Sequence, residues 1–284
     1  MKHKILLPTD FSTNSLKAIN YARELYKNEP CDFYLLNVFS ITDNVFESLI
    51  NMEPGSALYE TAKLNSENGL AKVNDIITMS DTVYTKHHFN VISQFNTVVE
   101  AIKTVVENKD IEMVIMGTKG ETYPRTKGFG STAIKVMENV RNCPVLVVPE
   151  STKIELPKEI VFPTDYKINF KRRELNYLID LVKKCDATLV ILHVKEANEL
   201  NETQKERKQL LEDILQGVNY KFQTLTHSTV LTALNTFVES RESDMVAFIN
   251  KKHTFFGSIL SNALVKEISF LLNVPILVMH DLNN

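Results

Sequence analysis

His3-Lys4-Ile5-Leu6-Leu7-Pro8-Thr9-Asp10 returns in altered form as Lys158-Glu159-Ile160-Val161-Phe162-Pro163-Thr164-Asp165. Two further echoes follow in the same order. Asp110-Ile111-Glu112-Met113-Val114-Ile115-Met116 matches Glu242-Ser243-Asp244-Met245-Val246-Ala247-Phe248. Asn142-Cys143-Pro144-Val145-Leu146-Val147-Val148 matches Asn273-Val274-Pro275-Ile276-Leu277-Val278-Met279. Three landmarks in one order point to a duplicated domain. The join falls near Glu150–Leu156, closed by Pro157, which gives domains at residues 1–150 and 157–281.

Each half alternates short apolar strands with helical patterns. Lys4–Leu7, Phe33–Val38, Val83–Phe89, Met113–Met116 and Val145–Val148 are the strands predicted in the first half. Leu16, Ile19, Ala22, Leu25 and Tyr26 recur at the spacing of a core-facing helix, as do Val98, Ile102, Val105 and Val106. A long helix is predicted over Ala57–Met79. The second half repeats the plan, with strands at Ile160–Phe162, Thr188–His193, Tyr220–Gln223, Asp244–Phe248 and Ile276–Met279. Apolar runs of this kind suit strands buried on both faces. The fold class is therefore α/β, two tandem open parallel five-stranded sheets with helices on both faces, Rossmann-like. In such sheets ligands sit beyond the carboxyl ends of the strands, where the strand order switches.

The chain has 284 residues, 44% of them hydrophobic and 24% charged, enough for each half to bury a core. A net charge of −3, with no long run of like charge, argues against nucleic acid or an anionic membrane as partner. Three apolar residues precede Pro8, short of the roughly 7–15 that a signal-peptide core needs. No stretch approaches the ~18 apolar residues of a membrane span, so a cytoplasmic location is expected. Cys31, Cys143 and Cys185 form no CxxC pair and are expected as reduced, mostly buried thiols.

After the fourth strand come Gly117-Thr118-Lys119-Gly120, nine residues, and then Gly130-Ser131-Thr132 opening a helix. Glycines at a strand-to-helix turn permit positive φ and let backbone N–H groups approach phosphate oxygens. A helix N-terminus adds unpaired N–H groups and a dipole that favours an anion. A plain turn followed by a helix cap is the competing reading. Asp10, at a strand end, can accept hydrogen bonds from a ribose hydroxyl or an exocyclic amine; an Asx turn before a helix starting near Ser12 explains it equally. Lys119, Arg125 and Lys127 can screen phosphate charge or serve solubility.

The Gly117-x2-Gly120-x9-Gly130-Ser131 spacing resembles the ATP-binding motif of the universal stress protein family. Leu7-Pro8-Thr9-Asp10 and Asn142–Val148 resemble that family's opening and final strands. The resemblance spans both copies and implies an adenine-nucleotide-binding fold of the adenine nucleotide α-hydrolase-like type. It implies ATP or another adenine nucleotide as ligand, with Mg²⁺. It places Pro8, Thr9 and Asp10 near the adenine or ribose, Val38 at the adenine pocket, and Met116, Gly117, Gly120, Gly130, Ser131 and Thr132 at ribose and phosphate. Members often dimerise through the last strand. That suggests an intrachain pseudo-dimer in which Val145–Val148 meets Ile276–Met279, alone or within a homodimer, read by an unidentified protein partner.

The second copy departs from the motif. Ile249 and Lys252 stand where Gly117 and Gly120 do, and Ser261 and Asn262 where Gly130 and Ser131 do; Gly257-Ser258 is out of register. A β-branched Ile is ill suited to close backbone approach. One nucleotide site per chain is expected, with Asp165 structural. His87 and His88 lie on one strand and point to opposite faces, so they are not expected to share a metal. His193 and His253 show no zinc spacing. Glu202, Glu206, Glu212 and Asp213, interleaved with Lys205, Arg207 and Lys208, form a solvated helix face. Neither GxSxG nor a GxxxxGK[ST] loop is present, and Pro8–Ser12 lacks the Ser-Gly-Gly-type loop of the ATP-pyrophosphatases. A non-enzymatic nucleotide-binding stress or signalling module is expected, with at most slow ATP hydrolysis. A hydrolase or transferase, and a structural adaptor with a vestigial loop, are the alternatives.

Overall fold

The computed structural model describes residues 2–39, 54–80, 84–118, 129–195, 199–226, 230–250 and 273–280. Packing divides the chain into two units with the boundary at Glu150–Ser151. In the first unit β1 (His3–Pro8), β2 (Cys31–Phe39), β3 (His87–Phe95), β4 (Met113–Gly117) and β5 (Val145–Val148) alternate with α1 (Thr13–Leu25), α2 (Ala57–Thr78), α3 (Val98–Lys109) and α4 (Ser131–Asn139). The strand order is β3-β2-β1-β4-β5, all parallel. Ile5 stands opposite Phe33 of β2 and Met113 of β4. The order therefore reverses direction at the β1/β4 junction.

Sequence explains the local structure. Ile5, Leu6 and Leu7 are fully buried, as a central strand covered on both faces requires, and each such side chain contributes roughly 1.5–3 kcal/mol. Ser12, Ser56 and Thr97 cap α1, α2 and α3, their hydroxyls accepting from Ser15, Tyr59 and Glu100 N–H. The third strand begins at His87 and runs to Phe95, later than the predicted Val83–Phe89; Tyr84–Lys86 form a turn leading into it. Residues 81–83 lie outside the described set. The histidine pair obeys strand alternation. His87 is half-buried against Phe33, its Nε2–H donating to the Tyr26 carbonyl, and His88 is exposed.

The second unit contains β6 (Glu159–Pro163), α5 (Arg172–Cys185), β7 (Thr188–Lys195), α6 (Glu202–Ile214), β8 (Tyr220–Thr226), α7 (Val230–Arg241), β9 (Met245–Asn250) and β10 (Ile276–His280). Its strands follow the order β10-β9-β6-β7-β8, again all parallel. The sequence echoes become matching local geometry. Glu112 N–H donates to Lys4 O at 2.9 Å, and Asp244 N–H to Glu159 O at 3.0 Å. Val114 N–H donates to Pro144 O, and Val246 N–H to Pro275 O, each at 3.0 Å. Asp110 and Glu242 both take left-handed φ, 54° and 52°.

Candidate functional site

The site is assembled where β1 and β4 end side by side. Pro8 closes β1, buried and opposite Leu36. Thr9 is buried: its N–H donates to Leu36 O, its carbonyl accepts from Asn37 Nδ2 at 2.7 Å, and its hydroxyl hydrogen-bonds with Ser15 Oγ at 2.9 Å. Thr9 Oγ1 also accepts from Phe11 N–H. Thr9 thus holds the turn, and its polar atoms face protein. Asp10 is exposed, with Oδ1 accepting from Ser12 N–H at 3.2 Å and from Ser12 Oγ at 2.6 Å. The Asx turn is real, and the carboxylate it orients remains accessible to solvent. Val38, near the end of β2, is half-buried.

On the neighbouring strand Met116 and Gly117 are buried, opposite Val147 and Val148. A side chain at Gly117 has no room. A Cβ would lie 2.7 Å from Asn14 Oδ1 and 3.0 Å from the Asn14 carbonyl oxygen. The residue making the close approach is thus α1's Asn14, whose Nδ2 donates to Val148 O and whose Oδ1 accepts from Thr118 Oγ1. Gly130 N–H donates to Thr118 O at 2.6 Å, bringing the start of α4 back to the end of β4. Gly130 is the helix N-cap and supplies no side-chain acceptor; Ser131 and Thr132 behind it are exposed. Neither Gly117 nor Gly130 takes positive φ: Gly130 sits at φ −67°, open to any residue. Close packing against Asn14 accounts for the glycine at 117. Gly120, Lys119, Arg125 and Lys127 lie outside the described residues.

The model of the universal stress protein family matches residues 1–149, more than half of the 284. The chain belongs to the universal stress protein family. A universal stress protein of Methanocaldococcus jannaschii is 29% identical over 153 residues, covering 53% of this chain and 84% of that one. Among solved structures, a universal stress protein from Archaeoglobus fulgidus matches at TM-score 0.70 and 18% identity, covering 97% of this chain and 95% of its own. A Pseudomonas aeruginosa protein matches at TM-score 0.60 and 13% identity, over 98% and 92%. These two likenesses extend the fold through both units.

In this universal stress protein the second unit builds the same turn and then buries it. Thr164 Oγ1 accepts from Tyr166 N–H, and Asp165 Oδ1 from Lys167 N–H. His193 takes the place of Asn37, its Nδ1–H donating to Thr164 O at 2.9 Å. Four residues, Thr9–Ser12, separate β1 from α1, whereas eight, Thr164–Lys171, separate β6 from α5. The longer connection packs Ile168 and Phe170 into the core and is clamped by α6. Gln204 Nε2 donates to Asp165 O at 2.8 Å, and Arg207 donates to Asn169 Oδ1 and Lys167 O. Asp165 is 9% exposed as a result. Burial also pushes the Tyr166 hydroxyl far up, with the nearby Glu212 carboxylate adding to it. Ile249 is buried inside β9; Lys252, His253, Gly257, Ser258, Ser261 and Asn262 lie outside the described residues.

All three cysteines are buried thiols outside any disulfide, and burial pushes the Cys143 thiol up to about 12. Among the described residues no group of His, Cys, Asp and Glu could hold a metal ion, and no helix is long and apolar enough to cross a membrane. The glutamate-rich helix face predicted over Glu202–Asp213 is α6, with Glu202, Glu206 and Asp213 exposed and Glu212 half-buried. Sequence reasoning missed Asn14 and Thr118, which link β4 and β5 to α1. A polar residue in the first turn of a helix carries no distinguishing pattern.

Proposed function

We propose that the first unit of this universal stress protein binds an adenine nucleotide, ATP above all with Mg²⁺, and acts in stress response or signalling as a binding module. The observation that carries the reading is the pairing, at the β1/β4 junction, of an exposed oriented carboxylate with a helix N-terminus whose first residues, Ser131 and Thr132, are exposed. Asp10 would accept from the ribose or adenine, and Val38 would line the base. The amides of Ser131 and Thr132 would donate to phosphate oxygens, favoured by the α4 dipole, with Gly130 beside them giving its own N–H to Thr118 O. Mg²⁺ would be carried chiefly by those phosphates. Among the described residues no nucleophile paired with a general base faces this junction, so a binding role is favoured over catalysis.

The contrast between the units supports one site per chain. Asp165 is enclosed by the longer connection and by Gln204 and Arg207, where Asp10 stands open. The second unit is then a partner for the first, and the nucleotide-dependent surface is what another protein would read. Calorimetric titration of the nucleotide-stripped chain with Mg-ATP tests this, with a stoichiometry of one expected. Gly130→Glu should abolish binding without unfolding, because its carboxylate would occupy the helix N-terminus and repel phosphate. Undiminished affinity in that variant would refute the site.

A further inference from the structure

Phe11, directly after Asp10, is a bulky residue at φ 68°, a region that is strained for such residues and persists only where the surroundings impose it. Two constraints impose it here. Its N–H is tied to Thr9 Oγ1 at 3.0 Å, and its ring lies on α2 at Gly69. A Cβ at Gly69 would stand 2.3 Å from both Phe11 Cε2 and Cζ, so glycine is the residue that admits the ring. Gly69 lies in the middle of a 22-residue helix, where glycine disfavours the helix and caps nothing. The second unit supplies an internal comparison. Tyr166 has the same strained backbone, φ 55°, and the same N–H bond to a threonine, but its ring packs 5.1 Å from the His193 ring.

We infer that Phe11 seated on Gly69 is a positioning device for Asp10, so that helix α2 sets the nucleoside end of the nucleotide site. The inference rests on the nucleotide reading above. Asp10 is flanked by Thr9, anchored to β2 through Leu36 and Asn37, and by Phe11, anchored to α2. Its carboxylate is oriented by Ser12, two residues on. Displacing the ring rotates the peptide between Asp10 and Ser12 and re-aims the carboxylate. The amides at the start of α4 lie on another element and are not moved. Recognition of adenosine therefore depends on Gly69, and recognition of polyphosphate does not.

The test titrates the full chain and its Gly69→Ala, Phe11→Ala and double variants with Mg-ATP, adenosine and inorganic tripolyphosphate. Gly69→Ala and Phe11→Ala should each weaken ATP and adenosine about tenfold, equivalent to about 1.4 kcal/mol, and leave tripolyphosphate unchanged. In the Phe11→Ala background the second change should add no further loss and should raise Tm, since alanine favours the helix once the ring is gone. Equal weakening of all three ligands would mean a general structural defect and overturn the inference, as would unchanged adenosine affinity in Phe11→Ala. Should Gly69→Ala fail to fold, Phe11→Ala decides alone. If the unaltered chain binds neither ATP nor adenosine, the nucleotide reading itself fails and takes this inference with it. If it binds both and the variants match it, only the inference fails.

Discussion

Replacing Gly117 with alanine would set a methyl carbon 2.7 Å from Asn14 Oδ1, 2.9 Å from its Cγ and 3.0 Å from its carbonyl oxygen. Asn14 is 4% exposed and has nowhere to retreat without giving up two bonds, Nδ2–H to Val148 O and Oδ1 from Thr118 Oγ1, each 3.1 Å. Losing them costs about 0.5–1.5 kcal/mol each, and overpacking adds about 1–3 kcal/mol. The stiffer unfolded chain returns about 0.4–1 kcal/mol. The net expectation is a loss of about 2–4 kcal/mol, since these terms overlap at one residue. Two repeats need not unfold in one step, so the loss should be read by hydrogen exchange of amides in α1 and β4. In an Asn14→Ala background the same change should cost less by about 1 kcal/mol or more, since only the main-chain contact persists. Two results would refute the account of this glycine: a cost below about 0.5 kcal/mol in the native background, or an undiminished cost in the Asn14→Ala background.

Further outcomes concern charge and thiol chemistry. Burial opposes ionisation of Glu159, yet hydrogen bonds from Arg241, Lys221 and Ser243 outweigh it and hold the carboxyl at about 2. Because the folded value lies below the ordinary 4.5, the stabilisation is present above pH 4.5 and is lost as pH falls toward 2. Glu159→Gln should therefore lose about 1–2 kcal/mol at pH 7, after allowance for solvent screening, with the gap to the unaltered chain closing on acidification. Denaturant melts at neutral and acid pH check this, and a gap independent of pH would contradict it. Cys143, buried with its thiol raised to about 12, should resist alkylation at pH 8 in the native chain and react in urea. Rapid native labelling at that position, mapped by mass spectrometry, would count against the packing around β5.

Much of the architecture was legible because apolar periodicity and turn residues act locally. The run Ile5–Leu7 suited a strand covered on both faces, and Ser12 before an amphipathic stretch marked the start of α1. The repeat itself supplied the order of the elements, whereas hydrogen bonds as distant in sequence as Glu112 N–H to Lys4 O came only with the packing of β1 beside β4. The third strand slipped because His87–Phe95 is an edge strand of mixed polarity, HHFNVISQF, whose partner β2 sets its limits. Only Cα pairing such as Cys31 with His87 decides where it begins.

At the site, residue types were readable and their reasons were not. Sequence placed Asp10 at a strand end and Gly130-Ser131-Thr132 at a helix start, since both depend on neighbours in the chain. Why Gly117 is glycine was decided by Asn14, 103 positions away, and why Gly69 is glycine by the ring of Phe11. Whether a carboxylate in a Pro-Thr-Asp turn stands open or buried was decided by α6 in one unit and by a short connection in the other. Local pattern fixes backbone propensity and therefore the elements. Steric room, exposure and charge environment belong to atoms brought together from distant parts of the chain, and only the folded packing sets them.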